Sequence, residues 1–371
     1  MSTENNRLNL MIVCGSVAYG DVSSGGSEIS LRDEIENMEP EAKQIEIITL
    51  PKLGSPSIES VGAITTVHRV DVEDVPSKIV NIHEDKFDGN TDWIITQLLL
   101  CDIAIESAKA LRIPTIYYAR STGSKLDMSI GGQYHPDISI AVSIFMANEF
   151  EAQYGWRPYI SYPTFNHKED IIGDENILPI YDFLMFNPNK SKGGDVFFEM
   201  AERFPNSKFL AVSGWTDLKK DGKFDSSLMQ LMAKAHGEVD VLIPNEPEAP
   251  PLPNLTVIQP QRKVGNIIRS ARAVLVPSQW DEAFGRVIVE AGMNDRIVFA
   301  SNNGGTSESM HIAGMPENHL NNLLVNDFNS VDAWEEALNW FLDNEEYIPN
   351  PKPQIPKPVI GNILKTTSLY P

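Results

Sequence analysis

The sequence predicts an α/β protein of two Rossmann-like, doubly wound domains facing each other across a cleft. Three observations carry that expectation. Short β-branched or apolar runs alternate with longer helical patterns along the chain, the signature of βαβ units and a mainly parallel sheet. The alternation stops at a polar, proline-bearing stretch, 163–175, and restarts near Ile180. The length of 371 residues suits two domains of ordinary size.

In chain order, 8–14 is an apolar run ending at Gly15-Ser16 and predicts a buried strand. Residues 27–38 have helical spacing, and 45–50 is the next strand. A further strand is expected at 92–96, its helix at 98–111 and another strand at 114–119. A short strand and a helix share 138–154. In the second half, 183–186 predicts a strand, 194–203 a helix, and 208–212 a strand running into Gly214-Trp215. A helix at 228–235, a strand at 255–258 and a helix at 264–270 lead to the apolar run Ala273-Val-Leu-Val276. The acidic, proline-rich stretch 245–253 reads as a surface loop. Residues 332–344 form an amphipathic helix that the proline-rich 349–358 cannot continue. The expected division is 1–165 and 166–345.

Composition narrows the function. A formal net charge of −21 argues against nucleic acid or an anionic membrane as a bulk partner, because neutralising phosphates needs clustered Lys and Arg, and leaves room for a local basic pocket. Two cysteines, Cys14 and Cys101, give neither a disulfide framework nor metal-ligand spacing. The polar N-terminus lacks a signal-peptide core, and no apolar run approaches a membrane span. A soluble cytoplasmic protein is the expectation.

The most informative stretch is Glu282-Ala-Phe-Gly-Arg-Val-Ile-Val-Glu290, after a strand closed by Pro277-Ser278 and before a second apolar run and Gly304-Gly305. It reads as strand, loop, helix, strand and glycine loop, with Glu282 on the loop and Glu290 within the helix. In open parallel sheets the crevice at strand carboxyl ends is where ligands bind. A carboxylate accepts hydrogen bonds from two vicinal hydroxyls, which suits a ribose or hexose edge. The spacing alone also fits a solvated helix glutamate near a loop glutamate. Lys192-Gly193, in the loop after the 183–186 strand, offers an ammonium to a developing negative charge, or is a solvent-facing lysine. Gly25-Gly26 opens the first-domain helix and permits close approach of a phosphate.

The segment Ala273-Val-Leu-Val-Pro-Ser-Gln-Trp-Asp-Glu-Ala-Phe-Gly-Arg-Val-Ile-Val-Glu-Ala resembles the donor-site signature of the family 4 retaining glycosyltransferases, which have the GT-B fold. The following Ile297-Val-Phe-Ala-Ser-Asn-Asn-Gly-Gly-Thr-Ser-Glu308 resembles that family's next strand and Gly-Gly loop. The resemblance is strong over about 170–310. It implies that Glu290 binds the nucleotide ribose, that Glu282 lies near the transferred sugar, and that the amides around Phe284 and Gly285 approach the sugar and diphosphate. Lys192 matches the family's Lys-Gly element, and Gly25 and Gly26 match its first-domain glycine pair. Where the family has an arginine five residues before that lysine, this chain has Asn187, which leaves Lys190 or Arg262 to supply a second cation. Where the family often carries a histidine, this chain has Arg120, expected to touch a phosphate or an anionic acceptor or to pair at the surface.

The resemblance implies a UDP- or GDP-sugar as donor substrate, no tightly bound cofactor and no metal. It also implies that 346–371 packs back on the first domain. The acceptor, whether glycan, lipid or small molecule, is open. A nucleotide-sugar 2-epimerase of the same fold and a non-catalytic nucleotide-sugar-binding protein are the rival readings. His68, His83, His135 and His167 show no metal spacing and read as loop or surface residues, with His135 the one to test for a role. Trp215 reads as a packing aromatic, with stacking on a base as the alternative.

Overall fold

The computed structural model describes residues 7–16, 25–51, 55–122, 135–212, 252–258 and 260–367. Trp215 and the helix expected at 228–235 lie outside the described residues, as does most of the loop at 245–253.

The first sheet has eight strands: β1 (Leu8–Cys14), β2 (Ala42–Thr49), β3 (Ile58–Val61), β4 (Thr65–Arg69), β5 (Trp93–Gln97), β6 (Thr115–Ala119), β7 (Ile138–Ala141) and β8 (Tyr159–Ile160). Their order is β3-β4-β2-β1-β5-β6-β7-β8, parallel throughout except for the β3–β4 hairpin at one edge. Helices α1 (Gly26–Met38), α2 (Val75–Asn81), α3 (Cys101–Leu111) and α4 (Ile144–Tyr154) connect these strands. Alternate residues of β1 explain why both faces are covered. Leu10 and Ile12 pack with Leu31 and Ile35 of α1, whereas Met11 and Val13 pack with Val75 and Ile79 of α2 and Ala104 of α3. A strand buried on both faces must be apolar at every position, which is why β1 is legible as a continuous run. Burial also pushes the Cys14 thiol up to about 12, which disfavours its thiolate at neutral pH.

The chain crosses to the second domain through the segment containing α5 (Lys168–Ile171). This crossing is bolted down rather than loose. The Asn294 side chain donates to Ile171 O and accepts from Gly173 N, both at 2.7 Å. Gly173 also lies against Gly265 so closely that a Cβ would sit 2.4 Å from the Gly265 carbonyl oxygen. The second sheet contains β9 (Tyr181–Phe186), β10 (Phe209–Val212), β11 (Leu255–Ile258), β12 (Ala271–Val276), β13 (Ile297–Ser301) and β14 (Leu324–Val325). All are parallel, in the order β11-β10-β9-β12-β13-β14. Its helices are α6 (Gly194–Arg203), α7 (Val264–Arg269), α8 (Arg286–Gly292), α9 (Thr306–Ile312), α10 (Leu320–Leu323) and α11 (Val331–Asn344). Phe183, Phe209, Phe299 and Phe341 centre the core.

After α11 the chain returns: Lys352 N and Gln354 N donate to Gly314 O and Ile312 O. A final helix, α12 (Ile360–Thr367), places Ile360 and Leu364 in the same core cluster as Leu31 and Ile35. Among the described residues no helix is long and apolar enough to cross a membrane.

Three sequence expectations shift. The β3–β4 hairpin falls between the strands expected at 45–50 and 92–96, where the sequence marks none, because β3 is a partly exposed edge strand with no apolar stripe. Helix α3 starts at Cys101 rather than 98, since Leu98 and Leu100 adopt left-handed φ of 49° and 74°. His68 is a core residue, not a surface one: it lies on β4, buried against Glu46 of β2, to which it hydrogen-bonds.

In each sheet the strand order reverses once about the first strand of its domain, between β1 and β5 and between β9 and β12. Carboxyl-end crevices at such reversals are where open α/β sheets bind ligands.

Candidate functional site

The loops that leave β9 and β12 are welded together. Asn189 accepts from the Lys192 amide at 2.9 Å and so caps the turn that presents Lys192. Gly193 has φ +83°, and a Cβ there would lie 1.9 Å from the Pro277 carbonyl oxygen, so only glycine allows this approach. Gln279 N donates to Ser191 O at 2.8 Å. The result joins Lys192 Nζ to the Glu282 carboxylate in an ion pair. Lys192 Nζ also stands 4.6 Å from the centroid of the Trp280 ring. Ser278 Oγ donates to the same Glu282 oxygen at 2.6 Å. The Gly304-Gly305 loop supports this arrangement from behind. Gly305 N donates to Glu282 O at 2.6 Å, and Asn303 Nδ2 holds the carbonyls of Trp280 (2.7 Å) and Ser278 (3.1 Å).

Glu282 is buried. Burial by itself would push its carboxyl up, but the Lys192 charge, with hydrogen bonds from Lys192, Ser278 and Trp280, outweighs burial and holds it below the usual carboxylate range. Lys192 keeps a quarter of its side chain exposed (26%), so its charge is reachable from the cleft.

Helix α8 carries the second carboxylate. Gly285 precedes it with φ +87°, and Phe284 is buried, 5.9 Å from the ring of Tyr162 in the first domain. Glu290 pairs with Arg286 at 3.4 Å. Burial pushes its carboxyl up against the pull of Arg286, with Asp33 adding to the rise. Arg286 is the cross-domain residue here. It meets Asp33 Oδ2 (3.2 Å) and Ser30 Oγ (3.1 Å) of α1, reaches Thr164 O (2.8 Å), and stacks over Phe165 at 4.4 Å. A Cβ at Gly26 would lie 3.6 Å from Arg286 Cδ, so the start of α1 faces α8 directly. Gly25 caps that helix through its N–H, which donates to the Glu28 carboxylate at 2.6 Å.

Arg120 follows β6 but is sealed in rather than displayed. Its guanidinium lies 4.4 Å above the Tyr118 ring, beside the fully buried Glu34 of α1. Among the described residues Arg120 Nε and Nη2 meet no acceptor in hydrogen-bonding geometry, and the Tyr118 hydroxyl lies beside the Glu34 carboxylate. Burial pushes the Glu34 carboxyl up to about 7, opposed by Arg120 and assisted by Asp33. A carboxylate raised from its ordinary 4.5 holds a proton in the folded protein that the unfolded chain has already released. Stability from this group is therefore full below about 4.5 and lost as pH rises through about 7. The penalty at high pH is about 3 kcal/mol. Glu34→Gln is expected to flatten the fall in thermal midpoint between pH 4.5 and pH 7 and to leave the variant the more stable at pH 8. Superimposable pH profiles for variant and parent would contradict it.

The remaining candidates divide. Asn187 takes a left-handed φ of 53° at the end of β9 and accepts weakly from Asn189 at 3.3 Å, beside Lys192. Lys190 is exposed on the same turn. Arg262 is exposed and bound to Asp170 of the domain crossing at 2.9 Å, not to the Lys192 group. His135 meets Trp156 edge-on at 4.5 Å. His167, with no metal spacing in sequence, is brought by the fold within 4.8 Å of Asp33 and Glu36, and of Glu169 and Asp170. It hydrogen-bonds Glu36 at 2.6 Å, while Asp33 is committed to Arg286.

Arg286, Glu34, Ser143 and Glu308 enter the site through the fold. Glu34 had a signal: it stands between Leu31 and Ile35 on the apolar stripe of α1. Arg286 sits inside the two-glutamate motif. Glu308 closes the Gly-Gly segment, and Ser143, which acts across the domain gap, has no signal of its own.

Residues 251–355 match the family profile described as glycosyl transferases group 1. The match spans less than a third of the chain. That segment includes Glu282, Phe284, Gly285 and Glu290, whereas Lys192 lies before it. The chain's sequence matches no curated protein significantly. Solved structures resemble it over nearly its whole length. Sucrose-phosphate synthase from Thermosynechococcus elongatus shares 16% identity, covering 92% of this chain and 91% of that one, with a TM-score of 0.66. A glycosyltransferase from Rickettsia africae shares 14%, covering 91% and 89%, at 0.62. HepE of Anabaena, solved in complex with UDP, shares 14%, covering 98% and 95%, at 0.61. With the two parallel sheets, these likenesses establish the GT-B fold.

Proposed function

We propose that the protein is a retaining glycosyltransferase of the family 4 type, moving a sugar from a UDP- or GDP-sugar to an acceptor. The observation that carries this reading is the joining of Lys192 and Glu282 at the carboxyl ends of β9 and β12, the reversal point of the second sheet, with Glu290 on the adjoining helix. HepE, of the same fold, was solved with UDP and glucose, which supports a nucleotide-sugar donor.

In this reading Glu290 accepts from the ribose hydroxyls, and the amides around Phe284 and Gly285 face the sugar and diphosphate. The diphosphate takes over Lys192 from Glu282. That exchange frees the Glu282 carboxylate for a sugar hydroxyl and places the ammonium where charge grows as the leaving group departs. The acceptor oxygen bonds to the anomeric carbon on the face from which the phosphate oxygen leaves, and that oxygen takes the acceptor proton. Lys192 supplies the cationic charge, so the step requires no divalent ion.

Incubation with a panel of UDP- and GDP-sugars and mixed acceptors tests this reading by chromatography and anomer-resolved NMR. Free nucleoside diphosphate with a product of retained configuration is expected. A 2-epimeric sugar would replace it with epimerisation, and saturable binding without release would replace it with a binding role.

A further inference from the structure

Helix α4 of the first domain starts with amides that its own cap does not reach. Ser143 accepts from Met146 N at 3.0 Å, which leaves the Ile144 and Phe145 N–H groups to find other partners. Both are taken by the other domain: Glu308 accepts from Ile144 N at 2.8 Å and from Phe145 N at 2.7 Å. Tyr162 Oη, also of the first domain, donates to the same carboxylate at 3.0 Å. Ser143 completes the junction by donating through Oγ to Ala283 O at 2.6 Å, the residue next to Glu282. Thr122 Oγ1 donates to Asp281 O, on the other side of Glu282, at 2.5 Å.

The two second-domain loops gripped in this way are the two that hold Glu282. One contains Glu282 itself. The other begins at Asn303 and Gly305, whose side chain and amide fix the Trp280 and Glu282 carbonyls, and runs directly into Glu308. A single helix terminus of the opposite domain therefore anchors both loops, and it does so only while the domains are together. Separation would leave two α4 amides, the Ala283 carbonyl and the Glu308 carboxylate to water.

We propose that Glu308 is a positioning residue that couples domain closure to the placement of Glu282, with Ser143 as its companion. This rests on the transferase reading. Glu308 touches no reacting atom; it sets the loop that does. A carboxylate suits the task because its two oxygens accept from two successive helix amides and its charge favours a helix N-terminus. Glu308→Gln keeps one acceptor oxygen and loses the charge, and Glu308→Ala loses both.

The test compares the parent with Glu308→Ala and Glu308→Gln in turnover, in nucleoside diphosphate affinity, and in small-angle scattering at saturating nucleoside diphosphate. Glu308→Ala is expected to lower kcat by about ten- to a hundredfold, with affinity for UDP or GDP within about threefold of the parent. Its scattering radius with nucleotide bound should stay larger than the parent's, and Glu308→Gln should fall between the two. Parent-like kcat and radius in Glu308→Ala would overturn the proposal, as would a kcat loss matched by an equal loss of affinity. If the parent binds nucleotide but never turns over, the transferase reading fails, and the radius alone decides whether Glu308 holds the domains closed.

Discussion

Lys192→Ala is expected to lower kcat by about two to three orders of magnitude, the usual effect of removing one group that stabilises transition-state charge. Affinity for the nucleotide sugar should change far less, because the ammonium gains its full partner only as the diphosphate leaves. The single variant also disturbs Glu282. Lys192 is what holds the Glu282 carboxyl below its usual range against burial, so without the ammonium Glu282 is a buried carboxylate held by Ser278 and Trp280. Part of the loss in Lys192→Ala would then come from a displaced loop. The double variant Lys192→Met with Glu282→Gln removes both charges and so isolates the effect on stability. Its thermal midpoint should recover towards the parent's, while its turnover stays low. Steady-state kinetics and thermal unfolding on the three proteins check this, and parent-like turnover in Lys192→Ala would remove Lys192 from the mechanism.

Glu290→Ala should act on binding instead. Hydrogen bonds to a charged group contribute about 1.5–3 kcal/mol each. Losing a pair of them to the ribose should weaken nucleoside diphosphate affinity by about a hundredfold or more. The fold should survive the change. Arg286, which pairs with Glu290, retains Asp33, Ser30 and the Thr164 carbonyl, so no guanidinium is stranded. Glu290→Gln preserves an acceptor without the charge and should lose less. Calorimetric titration with UDP and GDP, beside the thermal midpoint of each variant, gives the answer. Unchanged affinity in Glu290→Ala would remove the ribose role.

What could be read from the chain, and what could not, follows from where the information is stored. Strands β1, β9, β12 and β13 are buried on both faces, so their apolar runs are continuous and stand out in the sequence. The β3–β4 hairpin has one exposed strand of mixed residues, so no run marks it. The late start of α3 depends on left-handed backbone at two leucines, a conformation that their side chains do not advertise. Within the candidate site, the places of Glu282, Glu290 and Lys192-Gly193 in the fold are legible because they lie on short loops and one helix. Glu308 and Ser143 are 165 residues apart in the chain and acquire meaning only when the domains meet. Arg120 shows the opposite case. Its place after β6 was legible, but its burial against Glu34 and Tyr118 was not, because the Glu34 partner comes from a helix far earlier in the sequence.

Direct titration of UDP, GDP and their sugar conjugates into the unmodified protein tests the central claim most directly: that the crevice between β9 and β12 is a nucleotide-sugar site. The expected result is saturable binding of one nucleotide per chain, shared by the free nucleoside diphosphate and its sugar conjugate. Failure of every nucleoside diphosphate and nucleotide sugar to bind at millimolar concentration would contradict it.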